Sequence, residues 1–175
     1  LTDRSIEQAR AALVIDPISP WVNTLLAQAL HMSGQHADAI KQAEWALEIA
    51  PGFPFAHFFL GVALFATGDT DRAKAEIECA AASGRPDFVA AQGCLLFLAG
   101  ESATAQRIFD GVLAAGEQAP PIARVMLFLA QRNFDDAGEA LQECIESRDW
   151  HPLVLQSEPV IEPIFRESGL VSLLE

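Results

Sequence analysis

The chain has 175 residues, 51% of them hydrophobic and 20% charged, a balance that builds a buried core and excludes a disordered polymer. Its formal net charge of −13, from 24 acidic and 11 basic residues with no Lys/Arg cluster, argues against direct nucleic-acid binding and against an anionic membrane surface. Cys79, Cys94 and Cys144 are odd in number and widely spaced, which fits thiols in a reducing compartment, the cytoplasm, rather than a disulfide frame or a zinc site.

Ala, Leu and Glu dominate, Tyr is absent, and Val, Ile and Thr never alternate as in strands, so the fold class expected is all-α. No signal-peptide pattern opens the chain. The first helix closes on "ALVIDP", Ala12 to Pro17, and "ALEIAP", Ala46 to Pro51, follows 34 residues later. After each motif come a Pro-containing connector, an apolar helix, a turn and a second, amphipathic helix. Four such units run from residue 18 to residue 147. Ala39, Ala73, Ala105 and Ala137 mark the second helices at spacings of 34, 32 and 32. Ala43, Ile77, Phe109 and Leu141 follow four residues later, then Ala46, Ala80, Val112 and Cys144 three after that. Turns fall at Gly34, Gly68, Gly100 and Arg132–Asn133, and Asp69, Ser102 and Asn133 are the expected caps of the helices that follow.

At the start, "RSIEQARAALVIDP" aligns with "ADAIKQAEWALEIAP". Residues 1–17 are therefore expected to be the second helix of a truncated leading repeat, with more repeats or another domain ahead of Leu1. At the end, residues 148–175 are Pro-spaced and apolar, with a short amphipathic helix expected near Gly169–Leu174. A capping role fits them, because the last apolar face of a repeat array has no neighbour. The stretch "PFAHFFLGVALFATG", Pro54 to Gly68, has almost no polar face. It is too short to span a bilayer, which takes about 20 residues.

These units resemble the tetratricopeptide repeat. Gly61 and Gly93 match its first-helix glycine, Ala27 substitutes for it in the first unit, and Pro17 and Pro51 match its closing proline. The signature Trp is replaced by Asn23, His57 and Val89, and the last two units are two residues short. The resemblance implies a right-handed α-solenoid with first helices on the concave face. "IDPISP", Ile15–Pro20, and the tail Glu158–Arg166 with Leu173–Leu174 further resemble the C-terminal repeat region of bacterial signalling and transcription-regulator proteins. In the tail, Phe165 stands where that family has Arg, and Arg166 is displaced by one. That resemblance implies an upstream effector, commonly a winged-helix domain, a nucleotide cyclase or a kinase.

No catalytic constellation is present: there is no P-loop, no G-x-S-x-G and no H-E-x-x-H. No enzyme activity, cofactor or metal is expected. His57 reads as a hydrogen-bonded packing residue and His151, beside Trp150, as part of the cap. A binding surface remains. The positions expected to line a partner-binding concave face are Trp21, Thr24, Gln28 and His31, then Phe55, Phe58, Val62 and Phe65. Ala90, Cys94 and Phe97 continue the face, followed by Ile122, Met126 and Leu129. Its apolar character argues against a carboxylate clamp, which in this fold is lined by Lys, Arg and Asn. Leu60, Gly61 and Leu64 are expected to face the neighbouring helices and Phe59 to pack between repeats, leaving Phe55, Phe58 and Phe65 in need of a cover.

Three covers are conceivable: the chain's own tail (Leu153, Leu155, Val160, Ile161, Ile164, Phe165), a protein or peptide with apolar helical anchors, or a second copy in a homodimer. The expected function is protein–protein interaction, as a non-catalytic regulatory or scaffolding segment of a bacterial signalling or transcription-control protein. A free-standing adaptor or chaperone with a hydrophobic peptide in its groove is the alternative.

Overall fold

The computed structural model describes residues 2–116, 119–148 and 158–174. Trp150, His151, Leu153 and Leu155 lie outside the described residues. The helices are α1 (Thr2–Ile15), α2 (Pro20–Met32), α3 (His36–Ile49), α4 (Pro54–Ala66), α5 (Thr70–Ala81), α6 (Pro86–Leu98), α7 (Ser102–Ala114), α8 (Pro121–Ala130), α9 (Phe134–Glu146) and α10 (Glu162–Glu167). A short 3-10 turn, Leu170–Leu173, follows, and no strand occurs among the described residues. The chain divides into two compact units, Leu1–Ser83 and Gly84–Glu175. Within each, helix hairpins pack side by side in the α-solenoid manner.

Each first helix of a hairpin starts with proline: Pro20, Pro54, Pro86 and Pro121 open α2, α4, α6 and α8. Proline suits that place because its fixed φ is helical and its missing N–H would have no partner there. Each first helix also stops in the same way. Gly34, Gly68 and Gly100 adopt φ of 78°, 87° and 85°, and Arg132 takes the equivalent place at φ 56°. The next N–H then reaches back five residues along the chain: Gln35 to the Leu30 carbonyl at 2.9 Å, Asp69 to Leu64 at 3.0 Å, Glu101 to Leu96 at 2.9 Å and Asn133 to Phe128 at 2.9 Å. This Schellman closure satisfies the last carbonyls of one helix and aims the chain into the next.

The expected side-chain caps do not form. Asp69 and Asn133 occupy N-cap positions without a capping hydrogen bond, and Ser102 is already inside α7, one residue after the N-cap Glu101. The tight turn commits those backbones instead, and the Asn133 amide donates to Asp136 at 2.6 Å. Ser19 alone among the described helix starts caps with its side chain, accepting from the Val22 N–H at 3.3 Å. The tail differs from expectation too: its α-helix lies at Glu162–Glu167, and Gly169 (φ 74°) breaks it before the 3-10 turn.

Hairpin packing rests on a match of sizes. A Cβ on Gly61 would sit 2.6 Å from Ile77 Cγ1 and 3.2 Å from the Ala73 carbonyl oxygen; one on Gly93 would sit 2.6 Å from Phe109 Cε1. Where the first helix carries Ala27 instead, the corresponding second-helix residue shrinks to Ala43, and both are buried. Polar side chains replace the signature Trp by one scheme. The Asn23 amide donates to the Pro17 carbonyl at 3.1 Å, and its oxygen accepts from Gln42. One repeat on, His57 places Nε2 2.9 Å from the Pro51 carbonyl and Nδ1 2.6 Å from Glu76 Oε2. In both repeats a first-helix residue ties the preceding loop to a second helix 19 residues away.

Gly61→Ala and Gly93→Ala should each cost about 1–3 kcal/mol through overpacking. Gly111→Ala, at an exposed site in α7 with nothing within 4 Å, should gain about 0.5–1 kcal/mol. Urea unfolding midpoints separate the two signs.

Candidate partner-binding face

In unit 1, α2 and α4 contain no Asp, Glu, Lys or Arg. Of the residues expected to face a partner there, Thr24, His31 and Val62 are buried. The Thr24 hydroxyl donates to the Pro20 carbonyl at 2.7 Å, and His31 Nδ1 lies 3.1 Å from His36 Nδ1. The Thr24 bond stays within α2 and the histidine contact joins α2 to α3, as a buried polar group must find a partner inside. Gln28 is half-buried. Trp21 remains open, at 46% exposure.

Around Trp21 lies an aromatic cluster. Its ring meets Phe55 edge-on at 5.1 Å between centroids and Phe53 at 6.0 Å, and Phe53 and Phe55 are 5.8 Å apart. Edge-to-face pairs of this kind add stability beyond the area they bury. Phe55 therefore has a packing role inside unit 1. Phe58 and Phe59 form a second edge-on pair at 5.0 Å, and both are half-buried, as is Phe65. Phe53 was not among the residues expected at this face. It sits in the N-cap position of α4, and the signal that could have found it is an aromatic residue directly before the opening proline.

Unit 2 presents less. Ala90, Cys94, Ile122 and Leu129 are buried, while Phe97 and Met126 are half-buried. They share one core with Ile161, Ile164 and Phe165 of the tail, of which Phe165 has no exposed surface. Helix α10 packs on α8, and the 3-10 turn packs on α9, where a Cβ on Gly138 would meet Leu170 Cδ2 at 3.3 Å. Arg132 adds an ion pair to Glu167. The described tail residues thus cover part of unit 2's apolar surface, Val160 being half-buried. Burial, helped by the charge of Glu158, pushes the Cys94 thiol up to about 12, so it stays protonated and unreactive at neutral pH.

Arg124 on α8 pairs with Glu143 on α9 through both carboxylate oxygens, with Nη1 3.1 Å from Oε1. The guanidinium holds the Glu143 carboxyl below its usual range, so the stabilisation it brings is present above the ordinary carboxylate pKa and is lost as pH falls through the lowered one. No group of three or more His, Cys, Asp or Glu side chains gathers for a metal among the described residues. No helix there is long and apolar enough to cross a membrane.

No family model matches the chain, and no curated protein matches it. Among solved structures it is similar to a tetratricopeptide repeat protein from Parabacteroides merdae ATCC 43184. The TM-score is 0.57 at 15% sequence identity, covering 98% of this chain and 70% of that chain. The likeness shows the fold: tandem helical hairpins of the tetratricopeptide type.

Two outcomes check this layout. A thiol reagent at neutral pH should label the exposed Cys79 in the native protein and reach the buried Cys94 and Cys144 only on unfolding. Phe165→Ala should cost about 3–5 kcal/mol. It should also loosen the tail, seen as faster amide exchange across residues 161–174.

Proposed function

We propose that the chain is a protein–protein interaction module, a non-catalytic regulatory or scaffolding segment of a larger bacterial signalling or transcription-control protein working in the cytoplasm. The fold supports the coarse part of this reading, since helical-repeat modules present surfaces rather than reaction centres. The observation that carries the partner's character is the aromatic cluster of Trp21, Phe53 and Phe55 with Phe58 beside it, on helices free of formal charge. A partner that fits is an amphipathic helix or peptide laying apolar anchors against α2 and α4. Each aromatic anchor fully buried contributes roughly 1.5–3 kcal/mol. Unit 1 is the better seat, because the tail already covers part of the apolar surface of unit 2. The finer reading, a signalling or transcription-control parent, rests on the likeness of Ile15–Pro20 and of the tail to such chains.

The test uses amphipathic helical peptides selected from a display library against the full chain. Phe58→Glu should raise the Kd of those that bind by tenfold or more, with the helical signal and melting temperature unchanged. Unaltered binding would sink the reading, and unfolding would instead assign Phe58 to the core.

A further inference from the structure

In three hairpins the first and second helices share a polar pair at one fixed spacing of 19 residues: Asn23 with Gln42, His57 with Glu76 and Arg124 with Glu143. Val89 and Ile108 occupy the same two places in the remaining repeat. The position thus carries neutral amides, a histidine with a carboxylate, apolar side chains, and a permanent cation with a carboxylate. Of these, the histidine is the group whose ordinary titration falls near neutral pH.

The geometry at His57 takes two ring protons. Nδ1 lies 2.6 Å from Glu76 Oε2, and Nε2 lies 2.9 Å from the Pro51 carbonyl oxygen. Both neighbours are acceptors, and a neutral imidazole has one N–H to donate where the imidazolium has two. Both side chains are largely withdrawn from water, at 16% exposure for His57 and 24% for Glu76. Among the helices packed on α4, α2 carries no Asp, Glu, Lys or Arg, and neither does α4 itself. On α5, Arg72 lies within electrostatic reach of Glu76 but is paired with Glu44 of α3 and with Asp69. Lys74 pairs with Asp71, and Lys41 with Asp38. Glu48 and Glu78 are exposed. Glu76 is therefore the carboxylate in contact with the ring. His57 also grips the segment that carries Phe53: its backbone N–H donates to the Phe53 carbonyl at 3.3 Å while Nε2 holds Pro51. Phe53 in turn lies against Trp21 and Phe55.

We infer that His57 is a proton-dependent clasp beneath the partner face. Doubly protonated, it fastens Pro51–Phe53 to α5 and so holds Phe53 against Trp21. With one ring proton gone, either the Pro51 or the Glu76 contact is lost and the aromatic cluster loosens. Folding takes up the second proton to make both contacts, so the fastening is complete on the acid side of histidine's ordinary range and is lost as pH rises through it. The clasp regulates the face proposed above on α2 and α4, and its effect on binding rests on that reading, because a preorganised surface binds more tightly. His57 acts through Phe53, as a positioning residue.

The test moves the neutral pair of the first repeat into the second, as His57→Asn with Glu76→Gln in the full chain. NMR follows the His57 ring nitrogens and the Phe53 and Trp21 ring signals from about pH 5.5 to 8.5. In the unsubstituted chain the Phe53 and Trp21 signals should shift in step with loss of one His57 ring proton. In the double variant they should stay still. His31 and His36 are common to both chains and cancel from the comparison. A peptide that passes the Phe58 test should bind the unsubstituted chain about threefold or more weakly at the upper pH, and the double variant equally at both. Phe53 and Trp21 signals that ignore the His57 proton, the same shifts in the double variant, or a Kd indifferent to pH would each overturn the inference. Should the double variant not fold, the titration of the unsubstituted chain decides. The spectra use no peptide, so failure of the clasp and failure of the partner face are told apart.

Discussion

Everything in this molecule depends on how closely the two helices of a hairpin approach. The approach is set where a first-helix residue meets the second-helix residue 16 positions later, as Gly61 meets Ile77 and Gly93 meets Phe109. At the corresponding places Ala27 and Ala43 are both buried with small side chains, and Val125 and Leu141 with larger ones. The volume is shared differently in each hairpin, while the interior stays filled. Close-packed interiors tolerate such exchange far better than a net gain or loss of volume. A fixed helix separation lets one hairpin stack on the next with the same geometry, so a short motif can propagate along each unit.

The turns make that geometry repeat. A left-handed residue followed by a backbone hydrogen bond five residues back reverses the chain in three residues, and the proline that opens each first helix fixes where the next hairpin starts. Arg132 shows that the turn is demanded by the packing rather than by glycine. An L-residue there accepts a left-handed conformation costing roughly 1–2 kcal/mol because the closure it permits is worth more. With the backbone already satisfied, side-chain caps have little left to contribute, which is why Asp69 and Asn133 spend their polar groups elsewhere.

Much of this was legible in residue order. Helix number, pairing and turn positions follow from the recurrence of Ala39, Ala73, Ala105 and Ala137, because an interval of 32–34 residues is the length of one helix-turn-helix unit. His57 as a hydrogen-bonded packing residue was legible too, though not its partners: Glu76 lies 19 residues away and meets the ring only because α5 folds back on α4. The binding face was less legible. Assigning residues to an inward face by periodicity cannot distinguish one that looks out from one the neighbouring helix has covered. Thr24 and His31 sit at the expected positions and are buried. Phe53, outside the helix and so outside the periodicity, belongs to the aromatic cluster around the exposed Trp21.

By itself the sequence determined the all-α repeat, its period, its turns and the absence of charge from α2 and α4, since these are local or periodic properties carried by neighbouring residues. Only the tertiary structure decided which apolar residues stay open. Exposure at a position depends on what packs over it from elsewhere in the chain. Trp21 shields Phe55 but has no such shield itself, and Ile161, Ile164 and Phe165 join the core of unit 2 from beyond its hairpins. Burial is a property of the assembled helices, so it is settled only when they meet.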